Sequence, residues 1–332
     1  MALIMTPPPG APAFLDAAGW SGAEILPLAG DASFRRYFRI VDGDRCAVLM
    51  DAPPPHEDPR PFIHVAEYLT GIGLRAPQIL HRDLDQGLLL IEDFGSVRMR
   101  ETVDADLALE PQIYAGVVDV LMDLHRHAPP PGLKRHGLDQ WLDEICLFTD
   151  WYCPAVGLAV DKDSFLDAWR AVLTPIAAQG QTVTELRDYH AENIMLLAGE
   201  AGVRRFGLLD FQDALIGHPA YDLVSMLEDA RRDVSPAVEA AQLARYMAQT
   251  GQTEAFEQAY WALGAQRNTR ILGVFVRLWQ RDGKPHYTSF QPRMWGLLER
   301  NLAQPSLAPV KAWFDAHVPA EQRAAFWHEP RA

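Results

Sequence analysis

Three oxygen-bearing side chains stand at a spacing that phosphate chemistry uses. Asp188 is followed five residues later by Asn193, and Asp210 closes an apolar run at residues 206–209. Phosphoryl transfer spreads negative charge over the equatorial oxygens of its transition state, so its catalysts mostly position groups and neutralise charge. The reaction needs an acceptor for the hydroxyl proton. It also needs oxygen ligands for Mg2+, which takes few protein side chains beside phosphate oxygens and waters. Asp188 has the side chain for the first role, Asn193 and Asp210 for the second. Asp-x4-Asn alone recurs by chance. The ordered series carries more weight: Asp-x4-Asn, an apolar strand, a gap, a second apolar strand ending in Asp, then Gly-His-Pro-Ala-Tyr-Asp-Leu at 217–223.

These residues need elements to hold them. Short strands expected around 194–197 and 206–209 would place Asn193 and Asp210 on one hairpin, the preorganisation such a site requires. Upstream, the segments ILPLAG, SFRRYFRIV and RCAVLMDA read as strands within residues 25–52, separated by turns at Gly30-Asp31 and Asp42-Gly43-Asp44. The proline-rich stretch 52–61 reads as a loop. Helical spacing follows at 61–73, then two strand-like runs, APQIL and GLLLIEDFG. Beyond Gly95 the pattern turns helical. Leu109, Ile113, Val117, Val120, Leu121 and Leu124 predict one long amphipathic helix over 105–125, with more helix at 138–152, 161–179 and from 221 onward. The chain therefore reads as α+β in two lobes: residues 1–95, a small antiparallel sheet plus a helix, and residues 96–332, larger and mostly helical.

Composition excludes several classes. The formal net charge of -14 disfavours nucleic-acid or anionic-membrane binding, which needs a positive footprint. Cys46, Cys146 and Cys153 match neither a disulfide framework nor a zinc motif and suit a reducing compartment. No signal peptide is expected, and no apolar run approaches the roughly 18–20 residues a membrane span requires. A cytoplasmic protein is expected, with no nucleic acid, membrane or obligate protein partner. Lysines are few: Lys134, Lys162, Lys284 and Lys311, none of them in the first 133 residues.

The segments 185–197 and 204–223 resemble the aminoglycoside phosphotransferase/choline kinase family, whose members share the bilobal protein-kinase-like fold. The family's His-x-Asp-x4-Asn is matched by Leu186-Arg187-Asp188 … Asn193, with Leu186 in place of the histidine. Its Ile-Asp-x-x-Asp is matched by Leu209-Asp210-Phe211-Gln212-Asp213. The resemblance implies ATP and Mg2+ as cofactors, Asp188 as base, and Asn193 and Asp210 as metal ligands. It implies a structural role for Asp222, as a cap or loop anchor, and leaves a direct role for Asp213 open.

In this fold the loop Gly30-Asp31-Ala32-Ser33 covers the nucleotide phosphates, its small residues letting backbone N–H groups approach. Kinase-like folds place a lysine on the third strand, paired with a glutamate on the next helix. Glu67 is the apparent glutamate, but the strand CAVLMDA has no lysine. Arg35 and Arg39 share one face of their strand and Arg36 the other; Arg35, nearest the loop, is the expected substitute. The connector with Glu92 and Phe94 would meet adenine through its backbone.

Little room for an activation segment after Asp210 implies a small-molecule acceptor. Three stretches, residues 28–40 with 48–54, 147–152 and 266–287, are similar to bacterial kinases that phosphorylate N-acetylmuramate and N-acetylglucosamine at the anomeric hydroxyl, in cell-wall recycling. Trp151, Tyr152, Trp279, Tyr287 and Trp295 offer rings for a sugar face, or core packing. Asp213 and Arg281 are candidate substrate contacts, and Arg277, Arg281 and Lys284 would meet a lactyl carboxylate or lie solvated on a helix. The alternatives are an aminoglycoside- or choline-type kinase, and a non-catalytic nucleotide-binding regulator.

Overall fold

The computed structural model describes residues 5–28 and 34–326. The chain begins with α1 (Ala11–Ala17), β1 (Glu24–Pro27), β2 (Arg36–Asp42) and β3 (Arg45–Asp51), then α2 (Arg60–Gly71), β4 (Ile79–Asp83), β5 (Leu88–Glu92) and α3 (Met99–Ala105). Helices α4 (Glu110–Leu124), α5 (Leu138–Leu147), α6 (Cys153–Ala155) and α7 (Lys162–Ala177) follow. Next come β6 (Val183–Glu185), β7 (Ile194–Leu196), β8 (Phe206–Leu208) and β9 (Leu215–Gly217). The remainder is helical: α8 (Ala220–Leu227), α9 (Pro236–Thr250), α10 (Glu254–Gln280), α11 (Gln291–Leu302), α12 (Ala308–His317) and α13 (Ala320–Arg323).

The chain forms two compact units. The first comprises Met1–Leu109 with Glu192–Ala214, the second Glu110–Ala191 with Leu215–Ala332. This division does not coincide with the expected lobes 1–95 and 96–332. The β7–β8 hairpin joins the first unit because its backbone is stitched there: Leu208 N–H donates to the Arg75 carbonyl and Leu196 N–H to the Val97 carbonyl, at 2.7 and 2.8 Å.

In the first unit an antiparallel sheet runs in the order β1-β2-β3-β5-β4. Side-chain alternation gives it two different faces. Phe38, Ile40, Ala47, Leu49, Leu88 and Leu90 form one face, buried under Phe14, Leu15 and Trp20 of the α1 region. Each large apolar side chain buried there contributes about 1.5–3 kcal/mol. Tyr37, Arg39, Val48 and Ile91 point the other way, into a cavity.

The single helix expected over 105–125 is interrupted. Asp106 takes an extended backbone and its carboxylate accepts the Ala108 N–H at 3.0 Å, so α3 ends there and α4 starts at Glu110. Local capture of backbone by an aspartate outcompetes the apolar periodicity that runs through it.

In the second unit α10 is the organising element. A methyl on Gly264 would stand 2.9 Å from Val224, and one on Gly273 only 2.2 Å from the Leu147 carbonyl. Glycine at both points lets α8 and the end of α5 approach the α10 backbone, fixing the helix between them. Glu228 adds a buried lock, accepting from Asn268 at 2.6 Å, Asn301 at 2.7 Å and Arg300 at 3.0 Å. No helix among the described residues is long and apolar enough to cross a membrane.

Candidate active site

The β7–β8 hairpin pairs Ile194 with Leu208 and Leu196 with Phe206. Asn193 enters it and Asp210 leaves it, and Leu209 N–H closes the neck by donating to the Asn193 carbonyl at 2.9 Å. Asn193 Nδ2 lies 3.4 Å from Asp210 Oδ2, so a half-turn of the amide would aim its oxygen at the same point. Asp210 has φ +58, a left-handed conformation uncommon outside glycine. Gln212 Nε2 donates to Asp210 Oδ1 at 2.7 Å. Among the described residues no group of three His, Cys, Asp or Glu could hold a metal. Asn193 and Asp210 together offer two oxygen-bearing side chains, enough for a Mg2+ whose other positions phosphate and water would fill.

Both residues line a cavity of about 640 Å³, with Arg39, Val48, Ile91 and Phe94. Arg35 reaches the same place: its Nη2 is 3.8 Å from Asp210 Oδ1, and its side chain is only 10% exposed. Arg39 Nε binds Asp93 Oδ2 at 2.6 Å, and Asp93 also accepts the Gly95 N–H at 2.8 Å. The strand-alternation expectation for the arginines agrees, since Arg36 turns away to Asp51 at 2.5 Å. On β3 the cavity is lined by Val48, and Met50, facing Tyr37 across the ladder, is buried.

Glu92 and Phe94 both line the cavity. Arg75 holds them: its Nη2 is 2.5 Å from Glu92 Oε1 and its guanidinium lies 5.3 Å from the Phe94 ring centroid. Phe94 rests on Gly207 of β8, where a Cβ would approach the ring to 2.6 Å. Glu67 is not brought here. Its side chain is 62% exposed on the outer face of α2, 3.6 Å from Arg82, and it does not line the cavity. With no strand lysine to pair, nothing draws it inward. Gly30, Asp31, Ala32 and Ser33 lie outside the described residues.

Asp188 belongs to the second unit, on a loop that neighbouring side chains tie down. Asp222, the first-turn acid of α8, accepts the Leu186 N–H at 2.5 Å and the Arg187 N–H at 2.9 Å. Asp229 accepts the Ala191 N–H at 3.1 Å, and the Tyr189 hydroxyl donates to the Val117 carbonyl at 2.8 Å. Burial first, then the neighbouring Glu185, pushes the Asp222 carboxyl well up. Gly217 of the Gly-His-Pro run is required because the Glu185 carboxylate would stand 1.8 Å from any Cβ there. Leu186, in the place of the family histidine, is buried.

Arg187, at φ +68, turns its guanidinium to Glu144 at 2.5 Å. Glu144 also meets His136 at 3.3 Å and Arg270 at 3.4 Å, and His136 meets Glu185 at 2.7 Å. Burial opposes the His136 charge, but Glu185 and Glu144 prevail and raise it to about 9. Burial likewise opposes the Glu144 charge, yet His136, Arg270 and Arg187 pull it down to about 2. Arg267 and Arg270 of α10 lie close enough to Asp188 for its carboxylate to support their charge.

Asp213 is exposed, with Gln212 Nε2 at 3.5 Å. Arg281 is exposed and doubly bonded to Asp282 at 2.7 and 2.9 Å. Tyr152 and Trp295 are core residues, the indole donating to the phenol at 2.8 Å. Arg75, Asp93, Asp229, Arg267 and Arg270 went unread in the sequence. Only Asp93 carried a local signal, the Asp-x-Gly of an Asx turn.

Solved small-molecule kinases share this architecture. A choline/ethanolamine kinase family protein from Mesorhizobium loti matches with a TM-score of 0.62 at 17% identity, covering 91% of this chain and 98% of that one. The aminoglycoside phosphotransferase APH(3'')-Id from Streptomyces rimosus, in complex with ADP and streptomycin, matches with a TM-score of 0.54 at 17% identity, covering 78% and 96%. The fold is protein-kinase-like. The chain belongs to the phosphotransferase enzyme family, whose model matches residues 24–260. Curated relatives include an N-acetylmuramate/N-acetylglucosamine kinase from Caulobacter vibrioides, 38% identical over 94% of this chain and 96% of that protein. A protein of the same description from Pseudomonas aeruginosa is 37% identical over 90% and 91%.

Proposed function

We propose that this chain transfers the γ-phosphoryl group of ATP to the anomeric hydroxyl of N-acetylmuramate or N-acetylglucosamine, giving the sugar 1-phosphate in cytoplasmic cell-wall recycling. The observation that carries this reading is the near full-length similarity to kinases described as acting on those two sugars. The residues of the chain suit the chemistry.

Asp188 takes the proton of the anomeric hydroxyl as its oxygen bonds to the γ-phosphorus. The bond from phosphorus to the bridging oxygen breaks, and ADP leaves with that electron pair. An anomeric hydroxyl is more acidic than an ordinary alcohol, so the base has less to do. Asp222 and Asp229 hold the loop that carries Asp188. Arg35 supplies the positive charge that a strand lysine supplies elsewhere in the fold, beside the Asp210 carboxylate. Asn193 and Asp210 would hold Mg2+, which neutralises phosphate charge when bound. The cavity beside Phe94 and Ile91 takes the adenine.

ADP release measured with a sugar panel tests the acceptor. Free N-acetylmuramate and N-acetylglucosamine should be turned over, and the methyl glycoside of N-acetylglucosamine, which lacks the anomeric hydroxyl, should not. Equal turnover of the methyl glycoside would rule out anomeric transfer.

A further inference from the structure

The α10 helix and its C-cap carry a line of four arginines. Arg267, Arg270, Arg277 and Arg281 fall within a band of about 80° on the helix surface, given 3.6 residues per turn. The band starts at Asp188, whose carboxylate supports the charges of Arg267 and Arg270. Three of the four arginines have partners in the described structure. Arg267 donates to the Glu228 carbonyl at 3.3 Å, Arg270 meets Glu144 at 3.4 Å, and Arg281 is bidentate to Asp282.

Arg277 differs. Its Nε is buried with no hydrogen-bond partner, and no ion pair forms to it among the described residues. Burial, then Arg281 and Arg270 on either side, push its pKa down, while Asp282 offers the one opposing charge. A half-buried guanidinium between two others is an unfavourable arrangement until an anion joins it. Close packing at Gly264 and Gly273 seats the helix that presents it against α8 and the end of α5.

We infer that Arg277 is a specificity-determining residue of the acceptor site, binding the carboxylate of a 3-O-lactyl substituent on the sugar. The inference rests on the amino-sugar reading above. The two sugars differ by that lactyl group, so an enzyme using both needs a cation that profits from the carboxylate and tolerates its absence. A fully buried arginine would be stranded by N-acetylglucosamine. Arg277 is only partly buried, and water can serve it when the lactyl group is missing.

The test is the ratio of kcat/KM for N-acetylmuramate to that for N-acetylglucosamine, with the lactyl methyl ester of N-acetylmuramate as an uncharged probe. Arg277→Met keeps the apolar stem and removes the charge. It should lower the ratio about tenfold, the size of one partly exposed charge-assisted pair, with the loss in KM for N-acetylmuramate. Wild type should prefer the acid to its ester and Arg277→Met should not. Arg277→Lys should recover part of the preference. A ratio unchanged in Arg277→Met, or an acid preference that survives it, overturns the assignment. If wild type phosphorylates neither sugar, the amino-sugar reading itself falls and the assignment falls with it.

Discussion

Replacing Gly207 by alanine should disturb, from beneath, the cavity proposed to take the nucleotide. The added methyl would stand 2.6 and 2.7 Å from two Phe94 ring carbons and 3.3 Å from Leu197. Carbon atoms rest at about 3.5–4.0 Å, so the ring must move by roughly 1 Å. It is not free to do so cheaply. Arg75 lies against the ring and is itself tied to Glu92 at 2.5 Å. Overpacking of this kind costs about 1–3 kcal/mol. A comparable penalty on nucleotide affinity is about a tenfold rise in Kd. With Phe94→Ala the obstacle is gone, and a strand alanine is better than glycine by about 0.5–1 kcal/mol. The same substitution should therefore destabilise the wild-type background and stabilise the Phe94→Ala background, a coupling of about 2 kcal/mol or more. Denaturant unfolding of the four proteins, with ADP titration calorimetry, gives the cycle. Additive effects, with the same sign in both backgrounds, would refute the packing argument.

Asp188→Asn should cut kcat by about 10²–10⁴-fold, the range for a lost general base, while ADP binding persists; rapid-quench and calorimetric measurements separate the two. Asp222→Ala leaves the buried Leu186 N–H and the partly buried Arg187 N–H without their acceptor, and should cost at least about 1–3 kcal/mol in urea unfolding, the penalty of the buried group, with a smaller addition from the other. An Asp222→Ala protein as stable as wild type would contradict the anchor role. His136, raised to about 9 from 6.5, contributes stability that is fully present below about pH 6.5 and lost as pH rises through 9, on the order of 3 kcal/mol. Calorimetry across that window should show a steeper fall for wild type than for His136→Gln, and parallel curves would count against it.

Much of the fold was legible because its strands are long enough to alternate. The arginine faces of β2 follow from strand alternation alone, and β3 is legible as a continuous apolar run between charged ends. β6 and β9, three residues each, are too short to show a period. Asp106 ended a helix that apolar spacing ran straight through. At the candidate site, residues singled out by type at fixed spacing were readable: Asp188, Asn193 and Asp210. Residues acting through distant partners were not. Arg75 works on Glu92 across the sheet, and Arg267 and Arg270 approach Asp188 from about 80 residues downstream. Glu67 was expected inward because the template presumes a strand lysine, and β3 has none; the side chain lies exposed beside Arg82 instead. Tyr152 and Trp295 take the core alternative of the two that the sequence left open, since aromatic type cannot distinguish a sugar platform from a core.

Phosphorus and proton NMR of the product formed from ATP, Mg2+ and N-acetylmuramate or N-acetylglucosamine tests the central claim most directly. A phosphomonoester whose phosphorus couples to the anomeric proton is the predicted result. A phosphate coupled to the C6 protons, or no phosphosugar from either acceptor, would contradict the account.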